Sequence, residues 1–254
     1  MGSKVVFLLA DYGHDPTETA VPYKAFVEAG FQVTFFTENG NVPKCDAKML
    51  EGITGTLLGA PKAAVEAYKK MTQSTEWQNP KAWTSEGISL LDYDLLMLPG
   101  GHEKGVRQIL DSPKAQALIA EYFPACQKPG KKATAAICHG VQALAHTKGA
   151  DGNSVIHEVN TTALPGVFEN AAYHSTRLFL GDYYKTYGAG TANVEEIVKA
   201  ALRDPAKQWK SSANPAAPFL VENQDWNYIS GRWPGDAPLL AESAVKMVQQ
   251  LQKA

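Results

Sequence analysis

Ala135-Ala136-Ile137-Cys138-His139-Gly140 is the stretch on which the reading of this chain turns. The residues leading into it, Lys132 to Ile137, are small or β-branched, a strand composition. Those following it, Val141 to His146, have helical composition. A strand, a nucleophile-capable residue and small residues opening a helix describe a nucleophile elbow. That geometry forces one side chain out at the carboxyl end of a sheet, in a strained turn. It also puts Cys138 at a helix amino terminus, where backbone N–H groups and the helix dipole favour a thiolate. A buried cysteine at a strand end is the plainer account of the same six residues. The local pattern does not separate the two, so the neighbouring segments have to.

Upstream, Lys4 to Leu9 reads as a buried strand and Asp11 to Pro16 as a loop. Glu18 to Ala29 has helical spacing through Ala20, Tyr23, Ala25, Phe26 and Val27, and Gly30 stops it. Gln32 to Thr37 is the next strand. Strand, helix and strand in this short space form a βαβ unit and imply a parallel sheet. Tyr93 to Leu98 is nearly all apolar, as a central strand should be, and it ends in Pro99-Gly100-Gly101-His102. A helix from Pro113 to Tyr122 then leads to the strand before Cys138. The alternation predicts a doubly wound α/β fold, a mostly parallel sheet sandwiched by helices. In such a fold sites form at the carboxyl ends of strands, where Asp11, Gly100 to His102 and Cys138-His139 all fall.

Downstream, Asp151-Gly152 reads as a turn and Val155 to Leu164 as a segment with a short strand. Gly166 to Tyr184 is helical in tendency and Ala206 to Pro218 is a loop. Phe219 to Val221 and Trp226 to Ser230 are two late strands, and Leu239 to Leu251 is a terminal amphipathic helix. The stretch from Asn39 to Leu91 breaks the rhythm, with one helix at Ala63 to Met71 and two tryptophans, Trp77 and Trp83. It reads as a lid insertion (39–91) in a single domain (1–254), its tryptophans lining a pocket.

A net charge of −2 gives no nucleic-acid footprint and no attraction to an anionic membrane. No apolar run approaches the ~20 residues of a membrane helix. Val5 to Ala10 is too short for a signal-peptide core, and Val6 stands where myristoylation needs Ser or Thr. The three cysteines, Cys45, Cys126 and Cys138, have no metal-ligand spacing and read as reduced thiols of a cytoplasmic protein. The expectation is a small-molecule substrate, with no metal, cofactor, nucleic acid or membrane partner.

A cysteine nucleophile needs a base, an orienting group and an oxyanion hole. His139 is adjacent, and in a sharp elbow it can curl back towards the sulfur. Gly100-Gly101 offers an exposed backbone N–H, and the N–H of His139 is the natural second donor. Glu18 sits in the first turn of a helix, where a carboxylate is favoured as a cap in any case. Beside a Cys138 thiolate it cannot also be charged without cost, so one proton should be shared, most simply on Glu18. A low-pKa thiolate with an acid/base beside it suits addition to an aldehyde, with proton shuttling by Glu18 and His139.

Asp15-Pro16-Thr17-Glu18, Leu98-Pro99-Gly100-Gly101-His102 and Ala136-Ile137-Cys138-His139-Gly140 together resemble the ThiJ/PfpI superfamily, whose fold is flavodoxin-like and shared with glutamine-amidotransferase-like domains. Ser230-Gly231-Arg232-Trp233-Pro234-Gly235-Asp236 is similar to the ending of its larger, lid-containing members, the glyoxalase III and stress-chaperone branch. The similarity covers nearly the whole chain. It implies catalytic roles for Cys138, His139 and Glu18, and an oxyanion hole at Gly101 and His139. Gly100, His102, Trp77 and Trp83 would contact substrate. A third carboxylate is implied at Glu169, with Asp151 and Glu158 as competitors. The implied reaction is methylglyoxal to lactate, without metal, cofactor or glutathione. A specialised hydratase or lyase, such as an isocyanide hydratase, stays open because of the extra aromatics. So does a stress chaperone or redox sensor that oxidises Cys138. A homodimer is implied too, with Tyr183 to Tyr187 as a candidate surface. Glutamine amidotransferase chemistry is disfavoured, since no histidine lies beyond His174.

Overall fold

The computed structural model describes residues 2–50, 59–212 and 214–253. Seven strands form the main sheet: β1 (Lys4–Leu8), β3 (Gln32–Thr37), β5 (Lys81–Ala82), β6 (Leu95–Leu98), β7 (Ala133–Ile137), β8 (Leu220–Glu222) and β9 (Tyr228–Gly231). Their order is β5-β3-β1-β6-β7-β9-β8, and every pairing is parallel except β8 with β9. The register sets Phe7 beside Met97, Met97 beside Ala135, and Ala135 beside Ile229. With helices over both faces, a strand has no wet side. That is why β6 and β7 read as unbroken runs of buried residues rather than as alternating ones. The expected doubly wound α/β fold is what the chain adopts.

The first helix, Pro16–Glu28, opens on Asp15, whose carboxylate accepts from the N–H groups of Thr17 and Glu18. Pro16 costs nothing at the first helical position, where its missing N–H would have had no partner. This helix packs on the terminal helix Ala237–Leu251 and on the helix Lys62–Met71. A small parallel pair, β2 (Tyr12–His14) with β4 (Lys44–Cys45), carries the chain from β1 into the cap residue.

Described parts of the insertion from 39 to 91 belong to the body of the fold. Its β5 extends the main sheet beside β3, and its helix packs on the first helix. Trp77 and Trp83, expected on a pocket wall, are 1% and 0% exposed and belong to the core. Trp77 meets Phe35 edge-on at 4.8 Å and Tyr68 at 5.7 Å. β5 covers the edge that β3 would otherwise expose, and Trp77 packs on the Phe35 side chain of β3. Residues 51–58 of the expected lid lie outside the described residues.

Between Val155 and Leu164 the only pairing is an isolated bridge from Thr161 to Trp209, not a strand. The helix Val194–Ala201 went unread although its signal was present. Asn193 and Glu196 form a reciprocal capping box at its start. Tyr183 and Tyr184, expected on an exposed surface, are buried. The large apolar side chains left in water on this side are Val167, Leu178 and Phe179, all on the helix Gly166–Leu180.

Candidate active site

Cys138 follows β7 with φ of +57°, the left-handed region, and is the only non-glycine residue so placed among those described. A side chain there costs energy that the surroundings must offset, the mark of a nucleophile elbow. Gly140 follows because a Cβ at that position would collide with the Leu98 carbonyl oxygen. The turn after β6 is as tight. A Cβ on Gly101 would run into the carbonyl oxygen of Gly13, and one on Gly100 would sit 2.6 Å from His139 N and 2.9 Å from Cys138 Cβ. The glycines are therefore what let three strand ends converge on one sulfur.

Around that sulfur, His139 Nδ1 lies 3.2 Å from Cys138 Sγ, so the adjacent imidazole does curl back. The His139 backbone N–H also donates to the sulfur. Glu18 is wholly buried, and its Oε2 accepts from the Gly100 N–H at 2.8 Å. The helix cap is Asp15, so Glu18 is free of that duty. Since Gly100 gives its N–H to Glu18, its part here is to hold the carboxyl. The Asp15 N–H bonds Gly100 O at 2.8 Å and locks the two loops together.

Burial pushes the Cys138 thiol well above its ordinary value, and the Glu18 and Asp15 carboxylates push it further. The His139 N–H opposes this but does not outweigh it. The expectation of a low-pKa thiolate is thus reversed: a helix start helps a thiolate, yet this one would also face two carboxylates in a dry pocket. Glu18 is itself raised, by burial and then by Asp15. His139 is held well below its usual range by burial, His102 and Lys185. All three groups are driven towards their neutral forms. The Nδ1 that can accept the thiol proton leaves the ring proton on Nε2, which has no partner among the described residues.

Glu169 does not orient His139. Its carboxylate accepts from the Val194 N–H at 2.8 Å and pairs with Lys185 Nζ at 3.1 Å. A buried carboxylate needs such company, and it fixes the turn carrying Tyr184 and Lys185 instead. The competitors fare no better: Asp151 binds Asn153 in an exposed turn, and Glu158 pairs with Arg203. The ring beside His139 is His102, edge-on at 4.8 Å, and beyond it Tyr184 at 4.9 Å. Burial drops His102 to about 4, so it too is a neutral imidazole.

A cavity of about 630 Å³ opens next to this cluster. Thr17, His102 and Tyr184 line its catalytic end, and Met49, Gly59 and Pro61 are the part of the insertion that reaches it. The hydroxyls of Thr17 and Tyr184 have no partner among the described residues. The sequence reading gives Thr17, Asp15, Tyr184 and Lys185 no role in the site. Asp15 and Thr17 flank Glu18, so their place followed once Glu18 was chosen. Tyr184 and Lys185 come from a distant turn that no local pattern links to the elbow. No group of three His, Cys, Asp or Glu able to hold a metal occurs among the described residues, nor any helix long and apolar enough to cross a membrane.

Two consequences are measurable. Cys138 should alkylate ahead of Cys45 and Cys126: burial raises all three thiols, but Cys138 has an imidazole nitrogen 3.2 Å from its sulfur and a cavity next to it, whereas the Cys126 sulfur meets the Thr134 hydroxyl and Cys45 packs against Tyr68. Its rate should climb through and beyond neutral pH. Equal labelling of Cys126 in the folded protein, read by mass spectrometry, would contradict the assignment. Asp15→Asn should keep the cap, because asparagine also accepts from N–H groups at a helix start, but removes the charge that raises Cys138 and Glu18. The alkylation midpoint should move to lower pH. Asp15 rises from 3.8 to about 6, chiefly by burial. A carboxyl with a raised folded pKa stabilises fully below 3.8 and loses that contribution as pH rises through about 6. The thermal midpoint of Asp15→Asn should therefore gain on the parent as pH rises across that window.

A family model described as ThiJ/PfpI family-like matches residues 9–213. The glutathione-independent glyoxalase hsp3102 of Schizosaccharomyces pombe is 31% identical over 236 residues, 90% of this chain and 86% of that protein. An uncharacterized protein of the same yeast is 26% identical over 246 residues, 96% of this chain and 84% of that one. Among solved structures, glyoxalase III from Candida albicans superimposes with a TM-score of 0.70 over 96% of this chain and 97% of that one, at 16% identity, a likeness of fold. With a match over most of its length and the elbow in place, the chain belongs to the ThiJ/PfpI family.

Proposed function

We propose that the chain is a glyoxalase-like cysteine enzyme that converts an α-oxoaldehyde to a 2-hydroxy acid. The observation that carries this is the buried cluster of Cys138, His139 and Glu18, an elbow thiol with an imidazole at 3.2 Å and a carboxyl whose proton is held by burial. The relative named a glyoxalase supports the substrate class.

The chemistry follows from the neutral resting state. Sγ bonds to the aldehyde carbon as the thiol proton passes to His139 Nδ1, and the opened carbonyl oxygen takes that proton, giving a hemithioacetal. Neutral His139 then removes the hydrogen of that carbon while Glu18 delivers its proton to the neighbouring ketone oxygen, giving an enediol. The imidazolium returns a proton to the second carbon, and the hydroxyl of the first returns one to Glu18. The first carbon is now a thioester, oxidised by two electrons, and the second an alcohol, reduced by two. Water cleaves the thioester, the thiol leaves with a proton, and the net change is addition of one water. Groups neutral at rest suit this sequence, since Glu18 starts with a proton to give and His139 with a nitrogen free to take one. The N–H groups of Gly101 and His139 are the donors proposed for the developing oxyanion.

The test is consumption of methylglyoxal with appearance of lactate, with no glutathione added, and Cys138→Ala as the blank. Lactate formed by the parent and absent from the blank supports the reading. No lactate from the parent overturns it for methylglyoxal, and no turnover of any α-oxoaldehyde overturns it entirely.

A further inference from the structure

The cavity beside the catalytic cluster is far larger than methylglyoxal requires. A void of about 150 Å³ is enough to hold benzene, and this one is about 630 Å³. That is within the volume range of small-molecule pockets, although its helix side at Ala171 and Ser175 is open to water. Its size has a local cause. Phe168, Ala171, Ala172 and Ser175 lie at i, i+3, i+4 and i+7 of the helix Gly166–Leu180, one face of that helix, and all four line the cavity. Three of the four are small, so the face stands back from the opposite wall. Phe168 lies parallel to Trp233 at 5.0 Å with 6° between planes, which makes a flat aromatic side. Leu164 continues the apolar lining.

Apart from Ser175 on the helix face, the polar side chains of the lining are Thr17, His102 and Tyr184. These three line the cavity where it meets His139, through the 4.8 Å contact of His102 with that ring. An occupant therefore meets hydroxyls and an imidazole at the catalytic end and mostly carbon elsewhere. A two-carbon oxo group with a long apolar substituent fits that division. A methyl substituent would leave most of the apolar wall against water.

Resting on the glyoxalase-like reading, we propose that the preferred substrate is an α-oxoaldehyde whose second carbon carries an apolar substituent much larger than methyl, seated against Leu164, Ala171, Ala172 and the stacked Phe168–Trp233 pair. Each methylene moved from water onto that wall contributes up to about fourfold in kcat/KM.

The experiment compares methylglyoxal, propylglyoxal and hexylglyoxal on the full chain. kcat/KM should rise at least about tenfold from methyl to hexyl, well under the additive ceiling because the mouth is partly wet. Ala172→Phe, which fills the small-residue face, should lower the hexyl-to-methyl ratio by about tenfold or more, and Ala171→Leu should lower it in the same direction. A second readout needs no turnover. Binding of hexyl methyl ketone and of acetone to Cys138→Ala is followed by calorimetry, with only the longer ketone expected to register. Turnover with a flat or falling series, and no difference between the ketones, overturns the inference and leaves the glyoxalase-like reading standing. No turnover of any aldehyde with selective binding of the long ketone overturns the reaction and keeps the apolar ligand. Neither turnover nor binding overturns both.

Discussion

Glu18→Gln should lower turnover on an α-oxoaldehyde by roughly 10²–10⁴-fold, the usual worth of a positioned acid–base group. It should do so while leaving the fold intact. The Oε2 atom of Glu18 accepts a 2.8 Å hydrogen bond from the Gly100 N–H, and a glutamine carbonyl oxygen accepts the same bond. The cap belongs to Asp15, so the first helix keeps its start. What the amide lacks is a transferable proton. The same substitution removes the largest cause, after burial, that raises the Cys138 thiol. Alkylation of Cys138 should therefore shift to lower pH even as turnover falls. A thiol that becomes easier to ionise in an enzyme that becomes slower separates proton transfer from nucleophile activation. The paired measurement is the pH profile of alkylation against steady-state turnover, with a thermal midpoint as control. Unchanged turnover with a lowered midpoint would return Glu18 to a structural role.

That separation was visible in the sequence only in part. Glu18 in a helix first turn has two accounts there, cap or catalyst, because both want a carboxylate at the same place. The tie is broken by a contact spanning 82 residues, from Gly100 to Glu18, which no local pattern contains. The fold was legible because each strand of a buried parallel sheet carries its own signature. β6 and β7 are short runs of apolar or small residues, buried throughout, Gly30 closes the first helix and Pro99 follows β6. The elbow was legible for the same reason, being built from consecutive residues. The tryptophans of the insertion misled because an indole on a wall and an indole in a core look alike in sequence. What decides is the partner across the fold: Trp77 has the Phe35 and Tyr68 rings, which no local pattern places beside it. The direction of the Cys138 shift also escaped. Sequence shows the helix start that favours a thiolate but not the burial and the Asp15 charge that oppose it. Glu169 was placed correctly on its helix and wrongly towards His139, since only the structure reveals Lys185 as its partner.

Arg232→Met should lower stability by about 3–5 kcal/mol, the cost of stranding a buried charge partner. Arg232 and Asp236 are both fully buried and paired through two contacts, Nε to Oδ2 at 2.8 Å and a terminal nitrogen to Oδ1 at 2.9 Å. The guanidinium also donates to the carbonyl oxygens of Ser212, Asn214 and Ala217. Asp236 in turn accepts from the N–H groups of Arg232 and Phe219. One side chain thereby closes a long polar loop onto the start of β8 and holds the bend at Trp233, Pro234 and Gly235 that walls the cavity. Methionine matches much of the arginine volume, so the loss should come from the orphaned carboxylate and carbonyls and not from a void. A denaturation midpoint measures the total, and the double variant Arg232→Met with Asp236→Leu apportions it. If the stranded carboxylate dominates, the double variant should be more stable than Arg232→Met alone. If the three loop carbonyls dominate, removing Asp236 should recover nothing, and the closing motif would be a loop clasp and not an ion pair.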